Sequence, residues 1–260
     1  MRETTLPAPT LHRSGEGSPV LLLHPLGVDR TFWAGVPGLD GMEVLTYDFP
    51  GHGETPVPDG PYTVEDLTEQ AAALVTGAGA GPVDVVGVSL GGLVAQRLAA
   101  VRPDLVRRLV VVDAVVVYPP ALRQQWRDRA ATTPEQGLEP LIGPTLALWF
   151  TAGLLAEGGP VVERVRSTFL GGDPLGYAYA CRALEEVDLT DVVGRITAPT
   201  LVVCGEDDAP PFTAAARELA ETLPDARLVW LSPARHAGVL EQPEQFAAAL
   251  AAFLRDGAAR

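Results

Sequence analysis

The residue of this sequence best suited to covalent chemistry is a serine inside a glycine-flanked pentapeptide. Ser89 lies in Gly87-Val88-Ser89-Leu90-Gly91, a G-x-S-x-G pattern. The apolar run at residues 83–86 predicts a buried strand, and the helix-forming residues 93–100 predict a helix. A serine on such a strand–turn–helix junction has a strained backbone and a hydroxyl held clear of the sheet. We therefore predict that Ser89 is a nucleophile; the alternative is a glycine-rich turn with an incidental serine.

A nucleophilic serine needs a general base within hydrogen-bonding reach and an acid that orients the base. His236 follows the last predicted strand, and Asp208 follows the predicted strand before it. Because the carboxyl ends of parallel strands meet at one edge of a sheet, Ser89, Asp208 and His236 are expected to converge there. Asp113 ends a neighbouring predicted strand and is the second choice for the acid.

Two backbone N–H groups are predicted to stabilise an oxyanion. That of Leu90 begins the helix after the nucleophile. The other is expected in the loop after the first long strand, where Pro25 has no N–H and Leu26 is the natural donor. His24 and His52 are expected to organise their loops by hydrogen bonds and not to act as bases.

The order of predicted elements indicates an α/β fold with a doubly wound, mostly parallel sheet. Strands alternate with helices or loops as far as residue 117 and again from residue 191. Residues 118–190 lack strand runs and instead carry helical periodicity, so we predict a core domain, 1–117 and 191–260, with a helical insertion at 118–190. Within that insertion, helices are predicted at 121–130, 137–155, 160–170 and 176–186. A β-hairpin is predicted in residues 1–17.

Composition excludes several classes of function. The formal net charge is −14, which argues against a nucleic acid or an anionic membrane as partner. All 19 basic residues are arginine, so no lysine is present for Schiff-base chemistry. Two cysteines, Cys181 and Cys204, indicate neither a disulfide framework nor a metal site and are compatible with a reducing cytoplasm. We expect no cofactor, and the oligomeric state is left open.

These segments resemble the α/β-hydrolase family in order along the chain. The stretches that carry the resemblance are LLLHPLG, YDFPGHGETP, GVSLGGLVAQRLAA, PTLVVCGEDD and the spacing from His236 to Pro243. Within the family the chain is most similar to 3-oxoadipate enol-lactone hydrolases, through LLLHPLGVDRTFW, PDGPYTVEDL, ALWFT and ACRALEEVDL. It departs from that subfamily at Pro25, at Phe49-Pro50, at Glu54 and at Arg235.

The resemblance implies an α/β-hydrolase fold whose insertion is a lid, and a Ser89–His236–Asp208 triad that opens a small carboxylated enol-lactone through an acyl-enzyme. It places the reaction in aromatic-compound catabolism by the β-ketoadipate pathway. The alternatives are a general carboxylesterase, a carbon–carbon bond hydrolase of ring-cleavage products or a perhydrolase, and, less favoured, a non-catalytic ligand receptor. Because a carboxylate needs a local cation, the candidates to bind it are Arg164, Arg166 and Arg182 in the insertion and Arg235 and Arg30 near the mouth of the site. Trp149 is a candidate to line the substrate pocket.

Overall fold

A computed structural model describes the backbone of residues 4–256 and the side chains as far as residue 254. Its strands form one seven-stranded sheet in the order β1-β3-β2-β4-β5-β6-β7. Every neighbouring pair in this sheet is parallel except β1 with β3, which confirms the predicted mostly parallel sheet. The strands are β1 His12–Ser14, β2 Ser18–Leu23, β3 Met42–Thr46, β4 Val83–Val88, β5 Val106–Val112, β6 Thr200–Gly205 and β7 Ala226–Leu231.

Strands β4 and β6 are buried along their whole length because both faces of the sheet are covered. Every residue of β4 and of β6 is buried, as expected for parallel strands covered on both sides. The helices of the core are α1 Val64–Gly77, α2 Leu90–Val101, α9 Pro210–Thr222, α10 Gly238–Glu241 and α11 Pro243–Asp256, with a 3₁₀ turn at Arg30–Trp33. Helix α1 begins with a capping box, in which Thr63 and Asp66 exchange side-chain-to-backbone hydrogen bonds.

The predicted amino-terminal hairpin is wrong. Residues 12–14 form a single strand that pairs antiparallel with β3, so that His12 faces Thr46. The turn that follows leads into β2 on the far side of β3. Gly15 and Gly17 both adopt positive φ angles there, +76° and +128°, which glycine adopts at little cost. The turn residues therefore serve a crossing between non-adjacent strands, and residues 1–3 of the predicted hairpin lie outside the described part of the chain.

Helices fill the predicted insertion, and its two ends meet. Val117 pairs with Asp188, and the N–H of Leu189 donates to the carbonyl of Val116 at 3.1 Å. The helices are α3 Pro120–Gln136, α4 Glu139–Trp149, α5 Ala152–Glu157, α6 Pro160–Leu170 and α7 Pro174–Glu186, followed by α8 Thr190–Val193. None of the helices in the described part of the chain is long and apolar enough to cross a membrane.

The single helix predicted at 137–155 is wrong, because the chain breaks between α4 and α5. Phe150 is extended and fully buried, and Thr151 caps α5 through its side chain. Both the N–H and the hydroxyl of Thr151 donate to Oε1 of Glu241, at 2.8 and 2.7 Å. This long-range carboxylate holds the break, and helical periodicity alone does not reveal it.

Sheet order explains which loops converge. Strands β4, β5, β6 and β7 are consecutive neighbours and run parallel. Their carboxyl ends therefore lie side by side at one edge. The residues that follow them are Ser89, Asp113, the Asp208 loop and the His236 loop, which places every predicted acid, base and nucleophile at that edge.

Candidate active site

Ser89 occupies the strained junction between β4 and α2. Its φ and ψ are 52° and −112°, a conformation that residues with a side chain seldom adopt. The residue is 7 % exposed, and its N–H donates to the carbonyl of Val112 on the neighbouring strand at 2.9 Å. The predicted strain of this turn is thus present, and the turn is anchored to β5.

The flanking glycines are required by close backbone approach. A Cβ at Gly87 would collide with the carbonyl of Gly91 in α2, and a Cβ at Gly91 would collide with the carbonyl of Leu23 in β2. No side chain fits at either position without moving backbone. The two glycines therefore let α2 begin directly against the sheet beside Ser89.

His236 and Asp208 form a buried pair. The imidazole Nδ1–H donates to Oδ2 of Asp208 at 2.8 Å, and Oδ1 of the same carboxylate accepts the N–H of Ala209 at 2.6 Å. His236 is 4 % exposed and packs on the ring of Phe212 at 4.3 Å between centroids. Burial alone lowers the pKa of His236, but the charge and hydrogen bond of Asp208 raise it above its ordinary value.

Asp113, the second choice for the acid, lies beside this pair but forms no hydrogen bond with the imidazole of His236 in the described structure. Its Oδ1 accepts the N–H of Gly205 at 2.9 Å, and its Oδ2 has no hydrogen-bond partner among the described residues. Burial and the negative charge of Asp208 raise the pKa of Asp113 to about 8. The structure thus pairs His236 with Asp208 and leaves Asp113 as a neighbour.

His24 holds the loop that carries Leu26. Its Nε2 accepts the N–H of Phe49 at 3.0 Å, so Nδ1 carries the proton and donates to the carbonyl of Pro25 at 2.8 Å. Burial lowers the pKa of His24 and keeps the ring neutral. Both ring nitrogens are used by the backbone, which confirms the prediction that His24 organises its loop.

His52 is also buried, with its ring 5.5 Å from that of His24. Its Nδ1 lies 3.2 Å from the carbonyl of Pro50, and burial, assisted by the neighbouring His24, lowers its pKa to about 3.

The two residues predicted to stabilise an oxyanion, Leu26 and Leu90, are both buried next to Ser89; Leu90 is the first residue of α2 and Leu26 lines the same cavity as Ser89.

A narrow cavity connects these groups with the helical insertion. Ser89, His236 and Leu26 line it from the sheet edge, and its volume is about 30 Å³, close to that of one water molecule. A larger cavity of about 570 Å³ adjoins it, and Phe169 and Tyr177 line both. The side chains that line the narrow cavity from the insertion include Trp126, Arg129, Thr145, Trp149, Phe169 and Tyr177.

Three polar groups of this cavity wall are not among the site residues predicted from the sequence. The Nε1 of Trp126 and the hydroxyl of Thr145 are buried without a hydrogen-bond partner among the described residues. Arg129 donates from Nη1 to the hydroxyl of Tyr177 at 3.0 Å, and no carboxylate within residues 4–254 forms an ion pair with it. A cation and two unused donors thus surround the space opposite Ser89.

The arginines named from the sequence lie elsewhere, and none of them lines the narrow cavity in the described structure. Arg164 donates to the carbonyl of Ala34, Arg166 pairs with Glu163 and Arg182 is exposed. The backbone N–H of Arg235 donates to Glu241 at 2.7 Å, and Arg30 pairs with Asp48 and Glu54 beside the larger cavity. Trp149 does line the narrow cavity, with its ring 6.5 Å from that of His236.

Tyr118 is a fourth residue of this region that is not among those predicted from the sequence. It follows β5 at the start of the insertion, is 2 % exposed, and its phenol interacts with the side chain of Ser89. Burial raises the pKa of Tyr118, so the phenol stays neutral and keeps its proton. The signal in the sequence is weak, because tyrosine at the end of an apolar run also fits a simple core position.

The fold and the site define an α/β hydrolase. The model of the alpha/beta hydrolase family matches residues 20–249, and the chain belongs to that family.

The chain is similar to several known members of this family, among them the following three proteins. It is 32% identical to 3-oxoadipate enol-lactonase 2 of Acinetobacter baylyi over 83% of this chain and 80% of that protein. It is 31% identical to a pimeloyl-[acyl-carrier protein] methyl ester esterase of Chromobacterium violaceum over 92% of this chain and 95% of that protein. The crystal structure of the enol-lactonase from Burkholderia xenovorans LB400 matches with a TM-score of 0.89 and 30% identity, covering 97% of this chain and 100% of that one.

Proposed function

We propose that the protein is a serine hydrolase that opens a small carboxylated enol-lactone of the 3-oxoadipate enol-lactone type. Ser89 is the nucleophile, His236 the general base and Asp208 the acid that orients it. One observation carries this proposal. Ser89 and His236 line a cavity together with Arg129 on the facing helices, an arginine that forms no ion pair within residues 4–254. The similarity to enol-lactonases supports the same substrate class.

In the first half-reaction, the hydroxyl oxygen of Ser89 attacks the lactone carbonyl carbon while Nε2 of His236 takes its proton. The N–H groups of Leu26 and Leu90 stabilise the resulting oxyanion. The ring carbon–oxygen bond then breaks, the enol oxygen receives the proton from His236, and the enol becomes a ketone. The acyl group stays on Ser89.

In the second half-reaction, water attacks the acyl carbon and gives its proton to His236. The bond to Ser89 breaks, and Ser89 recovers the proton from His236. The product is an open-chain keto acid with one carboxylate more than the lactone, so the net change is addition of one water. No metal ion or organic cofactor takes part in these steps.

The facing wall of the cavity supports an anionic substrate. With a formal net charge of −14, the protein as a whole repels an anion, so recognition of one needs a local cation. Arg129 supplies that cation, and the unused donors of Trp126 and Thr145 lie in the same wall. An arginine with additional N–H and O–H donors is a suitable receptor for a carboxylate.

We also propose that residues 118–190 act as a lid over a core formed by 1–117 and 191–260. The narrow cavity is too small for a lactone as it stands, since ligand sites commonly exceed about 300 Å³. Phe169 and Tyr177, on α6 and α7, separate it from the larger cavity. Movement of these two side chains would join the two spaces and admit the substrate.

The experiment compares two classes of ester with the purified protein. We expect efficient hydrolysis of 3-oxoadipate enol-lactone and slower hydrolysis of neutral aryl esters such as 4-nitrophenyl acetate. The variant Ser89→Ala tests whether turnover belongs to this site, and the exposed Ser167→Ala is its matched control. Ready cleavage of aryl esters with an untouched enol-lactone would reject the substrate class and favour the general esterase.

A further inference from the structure

A second buried carboxyl group lies next to the Asp208–His236 pair and has no part in the steps above. Asp113 directly follows β5, is 2 % exposed and has a φ of +47°. Positive φ is costly for a residue with a side chain, so the surroundings must hold it there. Apart from Ser89, it is the sole non-glycine residue with positive φ in the described part of the chain.

Asp113 is connected to Asp208, the proposed acid, through the backbone of Gly205. Its Oδ1 accepts the N–H of Gly205 at 2.9 Å, and the carbonyl of Gly205 accepts the N–H of Asp208 at 3.2 Å. A Cβ at Gly205 would collide with the carbonyls of Ala234 and Arg235, so this turn is packed against the His236 loop. The carboxyl of Asp113 therefore fixes the turn that presents Asp208 to His236.

The carboxyl groups of Asp113 and Asp208 accept different numbers of hydrogen bonds. Both oxygens of Asp208 accept N–H donors, from Ala209 and from His236. Asp113 accepts one, and its buried Oδ2 accepts none among the described residues. Oxygen and sulfur atoms of Asp113, Asp208 and Cys204 lie within 4.8 Å of one another. Two such neighbours do not both ionise, and the charge goes to the carboxylate with more donors.

We propose that Asp113 is a positioning residue that holds the one proton shared by this carboxyl pair and, through Gly205, fixes Asp208 for its bond to His236. Its effect on catalysis rests on the proposed roles of Asp208 and His236. The balance of the groups that face it agrees with this assignment. Burial and the charge of Asp208 disfavour an ionised Asp113, and the buried thiol of Cys204 is neutral because burial raises its pKa. The charge of His236, the N–H of Gly205 and the nearby thiol of Cys204 favour the ionised form, but their effect is smaller.

The pH dependence of stability distinguishes a protonated Asp113 from an ionised one. A native pKa of about 8 lies above the ordinary value of 3.8, so between these values the native state binds a proton that the unfolded state has lost. Stability therefore falls with rising pH in this window because of Asp113. The neutral amide introduced by Asp113→Asn resembles the protonated acid and lacks this loss.

The first test measures melting temperatures of the wild type, Asp113→Asn and the exposed control Asp59→Asn from pH 5 to pH 8.5. We expect the melting temperature of Asp113→Asn, relative to the wild type, to rise steadily between pH 5 and pH 8, while that of Asp59→Asn stays level. A difference for Asp113→Asn that does not change with pH would overturn the assignment of the proton. This test needs no substrate, so it stands even if the proposed reaction is wrong.

The second test compares kcat at pH 7 for Asp113→Ala, Asp113→Asn and Asp208→Asn. Loss of the bond to Gly205 in Asp113→Ala should lower kcat by about 10- to 100-fold with KM within about twofold, because the acid is displaced. Asp113→Asn should recover most of that loss, and the acid limb of its kcat/KM profile should stay in place. An acid limb moved to lower pH would show that an ionised Asp113 acts on His236 and would overturn the proposal. If Asp113→Ala does not fold, the position of the acid limb in the kcat/KM profile of Asp113→Asn still tests the proposal.

Discussion

Nη1 of Arg129 donates a hydrogen bond to the hydroxyl of Tyr177 at 3.0 Å, and both side chains line the cavity that contains Ser89 and His236. The guanidinium carbon also lies 5.1 Å from the ring of Trp126, within the range of a cation–π interaction. Neutral partners on two sides hold the cation in place without neutralising it. Its charge is therefore available to a ligand.

Removal of this charge should affect charged substrates selectively. Arg129→Met is expected to lower kcat/KM for a carboxylated lactone by about 10- to 100-fold, because a charge-assisted hydrogen bond contributes about 1.5–3 kcal/mol. Its effect on the neutral methyl ester of the same lactone should be small. Arg182→Met, an exposed arginine of α7, is the matched control. Equal losses on both substrates would contradict the assignment of Arg129.

Thr145 should show opposite effects on stability and on binding. Its hydroxyl is buried without a partner among the described residues, so Thr145→Val, which keeps the shape, should leave the free energy of unfolding unchanged or raise it by about 1 kcal/mol. The same change should raise KM for the carboxylated lactone. Thr68→Val is the comparison, because the buried hydroxyl of Thr68 donates to the carbonyl of Val64 at 2.7 Å and its loss should be destabilising. Denaturant unfolding and steady-state kinetics measure both effects.

The acid limb of activity should lie above pH 6.5. The pKa of His236 is raised above its ordinary value of 6.5, and the base must be neutral to accept the proton of Ser89. Thus kcat/KM should fall as pH drops through this raised pKa. The corresponding contribution to stability has the opposite direction, being complete below pH 6.5 and lost as pH rises through the native pKa. A limb centred below pH 6.5 would show that burial, which lowers the pKa of His236, outweighs the effect of Asp208, which raises it.

His24 should influence kcat more than KM, although it lies behind the site. Replacing it by alanine removes the acceptor of the Phe49 N–H and the donor to the Pro25 carbonyl. The loop of Leu26 then loses its anchor, and we expect kcat to fall by about tenfold or more with a smaller change in KM. The buried, unpaired N–H should also cost about 1–3 kcal/mol of stability. An unchanged kcat would show that the loop holds its shape without His24.

The sheet and the residues at its edge were predictable because they depend on local sequence and a simple topology. The apolar run at residues 83–86 located β4, which extends from Val83 to Val88, and parallel strands place Ser89, Asp208 and His236 at one edge. The separate role of Asp113 was not predictable. Whether a carboxylate after β5 or one after β6 reaches the imidazole depends on the turn at Gly205, which tertiary contacts determine.

The facing wall was harder to predict because it depends on how helices pack on one another. The sequence has nineteen arginines, any of which could bind the substrate carboxylate. Helical spacing alone does not show which side of a helix faces the cavity. A signal was nevertheless present in α3. Its buried positions, Trp126, Ala130 and Thr133, follow an i, i+4, i+7 pattern, and Arg129 lies next to this stripe.

Rapid-quench mass spectrometry with the enol-lactone tests the central claim most directly. During the first turnover, the wild type should carry a covalent adduct equal in mass to the lactone on the peptide that contains Ser89, and Ser89→Ala should carry none and lose at least about 10³-fold in kcat. Turnover of the enol-lactone by Ser89→Ala at the wild-type rate, or an adduct on a different residue, would contradict the account.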